Sequence, residues 1–128
     1  MEATEFSEGL QVTGEVADMG RYFALASALV VPLVIGSGTR FKILEAFASR
    51  VPVVSTRVGA EGIHAVSGSH ILLAESPSEF VHALLSLWRE PSLSRQLTAN
   101  ALSLVRERYS QEAASALVAE AIASLGAI

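Results

Sequence analysis

Blocks of hydrophobic residues alternate with amphipathic stretches along this chain, and their lengths predict strands alternating with helices. The continuous aliphatic runs at 28–34 (ALVVPLV) and 51–56 (VPVVST) are typical of parallel strands that are buried on both faces. Apolar residues recur at helical spacing over 17–27 and over 38–49, where Phe41 belongs to the apolar stripe. The predicted strands are 9–16, 28–34, 51–56 and 69–74. This alternation predicts an α/β fold, a partial Rossmann-like parallel sheet of about four strands with flanking helices.

The C-terminal part of the chain is predicted to be helical. The sequence Ser76-Pro77-Ser78-Glu79 has the form of a capping box with proline at the first helical position. The face of this helix that we expect in the core consists of Phe80, Val81, Leu84, Leu85 and Trp88. A second helix is predicted from Glu90-Pro91 to about Tyr109, and a last one from a cap at Ser110 to about Leu125.

Length and composition restrict the class of protein. A chain of 128 residues is expected to form a single domain, with residues 1–8 disordered because they are polar. An apolar content of 51% against 17% charged residues excludes disorder as a description of the whole chain. The longest apolar run, Tyr22–Ile35, has 14 residues, and a membrane span needs about 20. We therefore expect a cytoplasmic protein.

Charge and side-chain chemistry exclude several functions. The net charge of −4 makes nucleic acids poor candidate partners. The sequence contains no cysteine, which excludes disulfides and thiolate nucleophiles. Its three histidines lack the spacing of metal ligands, so no metal site is expected.

The loop Gly36-Ser37-Gly38-Thr39 is the strongest candidate for a binding site. It joins a predicted strand to a predicted helix, where glycines permit close approach and helix amides favour a phosphate. Thr39 adds a hydroxyl, and Arg40 and Lys42 add positive charge. The alternative is that the loop is simply a tight connection and that Lys42 and Glu45 form an ion pair on the surface of the helix. Glu45 could instead accept two hydrogen bonds from a ribose diol.

These residues carry a resemblance to a known family. The segments Thr39–Ala46 (TRFKILEA) and Val51–Gly62 (VPVVSTRVGAEG) resemble the group 1 (family 4) glycosyltransferases, which are retaining nucleotide-sugar enzymes of the GT-B fold. Further matching positions are Gly14-Glu15-Val16, Glu90-Pro91 and Glu107-Arg108-Tyr109-Ser110. The resemblance implies that the partner is a UDP-, GDP- or ADP-linked sugar and that no cofactor is needed.

The resemblance also implies roles for individual residues. Glu45 matches the second glutamate of the family's E-x7-E motif, which binds the donor ribose. The backbone of Gly38–Arg40 would face the diphosphate, with Thr39 and Lys42 supporting that region, and Glu15-Val16 would lie against the nucleobase. The donor-binding residues implied in this way are Glu15, Val16, Gly36, Ser37, Gly38, Thr39, Arg40, Lys42 and Glu45. Gly59 and Glu61 are weaker candidates for the loop that approaches the donor sugar.

Two positions depart from the family pattern. Ser37 stands where the first glutamate of E-x7-E would be, so no catalytic residue is assigned. Arg50 stands just after the helix where the family often has glycine, and a left-handed conformation there would be mildly strained.

The sequence lacks segments that the family possesses. It contains no N-terminal acceptor domain and no counterpart of the first two strands of the donor domain, so we expect a truncated donor-binding domain that is inactive alone. Its strand 28–34 would have an unpaired edge, which predicts either that 9–16 moves in to pair locally or that two chains join edge to edge or swap strands. The last helix would also favour a homodimer. The alternatives are a non-catalytic, oligomeric half-domain with weak or no nucleotide binding, and a generic flavodoxin-like binding domain.

Overall fold

The computed structural model describes residues 4–7, 10–12, 20–36 and 38–109. Five of the positions singled out above lie outside these residues: Gly14, Glu15, Val16, Ser37 and Ser110, the last with its helix to Leu125. The strands are β1 (Thr4–Ser7), β2 (Leu10–Val12), β3 (Leu29–Val31), β4 (Val53–Ser55) and β5 (Leu72–Leu73). The helices are α1 (Gly20–Leu25), α2 (Arg40–Ala48), α3 (Pro77–Arg89) and α4 (Pro91–Leu104), which continues into a π-helical segment, Val105–Tyr109.

Three strands form the parallel sheet, in the order β3-β4-β5. Leu29 lies opposite Val53, and Val54 lies opposite Leu72. The expectation of about four strands was one too many for the described residues, because residues 10–12 of the segment predicted at 9–16 form β2, which pairs antiparallel with β1 in a separate sheet. Residues 4–7, expected to be disordered, thus form a strand. Pairing with so near a neighbour closes a very short loop and therefore costs little chain entropy.

Helices cover both faces of the parallel sheet, as predicted. On β4, the successive residues Val53 and Val54 are both fully buried, and they belong to two different core clusters. Val53 packs in the cluster that includes Phe47 of α2, whereas Val54 packs in the cluster that includes Leu87 of α3. This double burial is the reason that the strand sequence is continuously apolar. No helix within the described ranges is long and apolar enough to cross a membrane.

Helix α2 has a narrower buried face than expected. Ile43, Ala46 and Phe47 are fully buried, but Phe41 is 58% exposed. At 100° per residue, Phe41 lies about 160° around the helix from Ile43, whereas Phe47 lies on the same side as Ile43. The sheet therefore covers Ile43 and Phe47 and leaves Phe41 exposed. The helix ends at Ala48, and Arg50, two residues later, has a left-handed conformation with φ of 60°.

Helix α3 begins with the predicted cap but buries a different face. The Ser76 hydroxyl accepts a hydrogen bond from the Glu79 amide at 3.2 Å, and Pro77 is the first helical residue. Ala83 and Leu87 are the buried residues, whereas Val81 and Trp88 are 57% and 80% exposed. The prediction that Trp88 lies in the core was therefore wrong. The sheet covers the 80–83–87 line of the helix, and Trp88 is rotated 100° past it.

Candidate functional site

Two loops meet at the carboxyl ends of β3 and β4, where ligands bind in open parallel sheets. The amide of Thr56, which directly follows β4, donates to the carbonyl of Val31 at 3.0 Å. The buried Thr56 hydroxyl donates to the carbonyl of Leu33. The loop 32–39 is therefore fixed to the loop that begins at Thr56.

Gly59 is a buried residue of the second loop that contacts the start of α2. Its amide donates to Oγ1 of Thr56 at 3.0 Å, and its carbonyl accepts from Oγ1 of Thr39 at 2.6 Å. A Cβ at this position would lie 2.5 Å from Oγ of Ser55 and 2.8 Å from Cγ1 of Val31. Only glycine fits without displacing buried atoms, so the structure gives Gly59 an architectural role.

Thr56 is the residue that the sequence reasoning missed. Its hydroxyl is the centre of the network that holds the two loops, and its hydrogen bonds among the described residues run to Leu33 and Gly59. The sequence feature that could have identified Thr56 is a threonine at the end of a buried apolar strand, because a buried hydroxyl needs hydrogen-bond partners.

The start of α2 lies at this junction and has no side-chain cap. Thr39 is the N-cap residue, but its hydroxyl binds Gly59 instead of the helix amides, and no other side chain among the described residues caps α2. The first intrahelical hydrogen bond runs from the Ile43 amide to the Thr39 carbonyl at 3.1 Å. A helix start without a side-chain acceptor favours an anionic ligand. Gly36 and Gly38 precede it with φ of 118° and 94°, values that other residues rarely adopt.

The charged candidates lie along α2. Arg40 is half-buried, and Lys42 and Glu45 are exposed. Glu45 lies six residues after Thr39, which places it about 9 Å along the helix axis at 1.5 Å per residue. Lys42 and Glu45, three residues apart, share the outer face of the helix with Phe41. The structure therefore brings six of the nine candidate residues onto one loop–helix unit: Gly36, Gly38, Thr39, Arg40, Lys42 and Glu45.

Glu61 lies in the loop that follows β4, outside the loop–helix unit of α2. It lines a cavity of about 420 Å³ after β4, together with Arg57 and Ile63, and is exposed. The Arg57 amide donates to Oε1 of Glu75 at 2.7 Å, which ties this loop to the segment before α3. Among the described residues, no three metal-ligating side chains lie close enough together to hold an ion.

A sequence model of the family described as glycosyl transferases group 1 matches residues 1–90. The chain belongs to the group 1 glycosyltransferases. The matched range contains both loops of the junction, with Thr39, Thr56 and Gly59, as well as Glu45 on α2.

Two further comparisons gave one match in sequence and one in fold. An uncharacterized 44.6 kDa protein in the cps region of Klebsiella pneumoniae is 28% identical over 78 residues, which are 61% of this chain and 20% of that protein. The crystal structure of the C-terminal domain of a glycosyl transferase group 1 family protein (LpcC) from Francisella tularensis matches with a TM-score of 0.68. That match covers 75% of this chain and 51% of that one at 24% identity, which shows a shared fold. The chain thus spans about a fifth of the first of these two proteins and about half of the second chain.

Proposed function

We propose that this glycosyltransferase domain binds the nucleotide-sugar donor of a retaining sugar transfer. The observation that carries the proposal is the uncapped start of α2, held against the second loop by the Thr39–Gly59 hydrogen bond. A diphosphate is the part of the donor that such a helix start favours, since the helix dipole and amides attract negative charge.

Different residues on and beside α2 contact different parts of the donor. Arg40 and Lys42 add positive charge beside the diphosphate, and the backbone of Gly36–Gly38 lies close to it. Glu45, about 9 Å further along the helix, accepts hydrogen bonds from the two ribose hydroxyls. Glu15 and Val16 complete the site against the nucleobase.

The chemistry that this arrangement supports is stabilisation of the leaving group. When the bond between the anomeric carbon and the diphosphate breaks, negative charge grows on the phosphate oxygens. Fixed amide dipoles and cations aimed at that charge lower the barrier without a metal ion. The sugar passes to an acceptor hydroxyl with retention of its anomeric configuration.

Calorimetric or NMR titration with UDP, GDP and ADP, and with their sugars, tests the donor site. One nucleotide should bind saturably, and Glu45→Ala should weaken it about tenfold or more, because hydrogen bonds to a charged group are lost. Glu107→Ala is the matched control, since Glu107 is also an exposed glutamate but lies after α4. Absence of binding at millimolar nucleotide would refute the proposal and favour a non-catalytic half-domain.

We also propose that two chains associate through the outer edge of β3. Within the described residues, β3 has a strand partner on one side only, and its Val30 side chain is 40% exposed. An unpaired apolar edge is a template for pairing with another chain. Light scattering coupled to size exclusion should give the mass of a dimer, and a monodisperse monomer would contradict this.

A further inference from the structure

A second cavity lies at the opposite end of the sheet from the donor site. It has a volume of about 660 Å³ and is open to solvent. Its walls come from the segments that precede β3 and β4, from the end of α3 and from the start of α4. These are the amino ends of the strands, so the cavity is separate from the loops that hold Thr39 and Gly59.

The cavity is positively charged. Arg50 and Arg95 line it, both are exposed, and no acidic side chain contributes to its walls. Neither guanidinium has a hydrogen-bond or ion-pair partner in the part of the chain that the structure describes.

The position of Arg50 is fixed by an unfavourable backbone conformation. Its φ of 60° is one that glycine adopts more readily, and its amide donates to the Phe47 carbonyl at 3.2 Å. An arginine in a left-handed conformation at a cavity wall is a backbone outlier that points to a role for the residue.

The aromatic wall of the cavity is Trp88. This side chain is 80% exposed and lines the cavity beside Leu84 and Pro52. An exposed indole offers a flat apolar surface on which the apolar face of a sugar ring can pack, and the two arginines can hold a carboxylate or phosphate on that ring.

We propose that this cavity, with Trp88 as platform and Arg50 and Arg95 as anion ligands, binds an acidic sugar unit. Both a sugar carboxylate and a sugar phosphate have this chemistry. The proposal does not depend on nucleotide binding at α2, because it uses different residues at the other end of the sheet.

Trp88 is the only tryptophan of the chain, so intrinsic fluorescence reports on this cavity directly. The full-length chain is titrated with glucuronate, glucose 1-phosphate, glucose and inorganic phosphate. A saturable change with either charged sugar supports the proposal, and the one that binds more tightly identifies the anion. Glucose and inorganic phosphate should each bind at least about tenfold more weakly, since each satisfies half of the site. No saturable response to either charged sugar, or an equal response to inorganic phosphate alone, would overturn it.

Variants separate specific binding from a general effect of charge. Arg50→Gln combined with Arg95→Gln should weaken the charged sugar about tenfold or more. Arg89→Gln is the control, because Arg89 is exposed and adjacent in sequence but does not line the cavity. Arg50→Gly provides a variant that should fold readily, since glycine suits a φ of 60°. Unchanged affinity in the double variant and in Arg50→Gly would refute the proposal.

Discussion

The substitution Gly59→Ala tests whether this glycine is required by space alone. The added methyl group would lie 2.5 Å from Oγ of Ser55 and 2.8 Å from Cγ1 of Val31. Ser55 is fully buried and Val31 is 4% exposed, so neither side chain can rotate into solvent. Carbon atoms pack best at roughly 3.5–4.0 Å, so both contacts require atoms of the core to move.

The cost follows from the behaviour of overpacked cores. An extra methyl group in a tightly packed interior destabilises a protein by about 1–3 kcal/mol. With a urea m-value of about 2 kcal/mol per molar, a loss of about 2 kcal/mol lowers the unfolding midpoint by about 1 M. The Ser55 hydroxyl donates to the Thr56 carbonyl at 2.8 Å, so displacing Ser55 also disturbs the residue that holds both loops.

Urea unfolding of single and double variants measures the effect and its cause. Gly59→Ala should cost less in a Ser55→Ala background, because the nearer of the two obstructing atoms is then absent. Gly68→Ala is the matched control: a Cβ there meets nothing within 4 Å, and its φ of 87° makes the cost conformational. That cost should be the same in both backgrounds. A wild-type midpoint for Gly59→Ala would refute the steric argument.

Substitutions at four other positions have defined expected outcomes in the same unfolding assay. Thr39→Val should cost about 1 kcal/mol, because the Gly59 carbonyl loses its donor, and Thr39→Ser should restore most of it; equal losses would contradict this. Ser76→Ala should cost about 1 kcal/mol through loss of the helix cap, and no change would show that the cap contributes nothing. Leu87→Ala should cost about 2–5 kcal/mol because Leu87 is 8% exposed. Trp88→Ala, on the adjacent and exposed residue, should stay within about 0.5 kcal/mol, and a larger loss would place Trp88 in a packed interface.

Features encoded in short segments were predictable from the sequence. The double burial of β4 follows from its unbroken aliphatic run, and the start of α3 follows from the Ser76–Glu79 pattern. The left-handed conformation of Arg50 agrees with the family resemblance, in which glycine is common just after this helix. Each depends on interactions within a few residues, where side-chain chemistry restricts the backbone directly.

Features that depend on distant parts of the chain were not predictable. Which face of α3 is covered depends on its angle to the sheet, so Trp88 was wrongly assigned to the core. The pairing of β2 with β1 reflects the competition between a near and a distant strand. The hydrogen bonds of Thr56 to Leu33 and of Thr39 to Gly59 join positions 23 and 20 residues apart. A single sequence does not indicate which of its widely separated residues form hydrogen bonds with one another.

The two ends of the sheet differ in how function and stability are connected. At the carboxyl end, Gly59 contacts core atoms and also positions Thr39, so a change there alters stability and the geometry of the α2 start together. At the amino end, Arg50 is exposed and strained, so Arg50→Gly should raise the free energy of unfolding by about 1 kcal/mol while removing one proposed anion ligand. Stability and binding would then change in opposite directions, which is typical of a residue retained for function. If Arg50→Gly instead lowers stability, the arginine contributes to packing, and its strain carries no functional meaning. Thermal unfolding of this one variant, measured beside the fluorescence titration, decides between these two explanations.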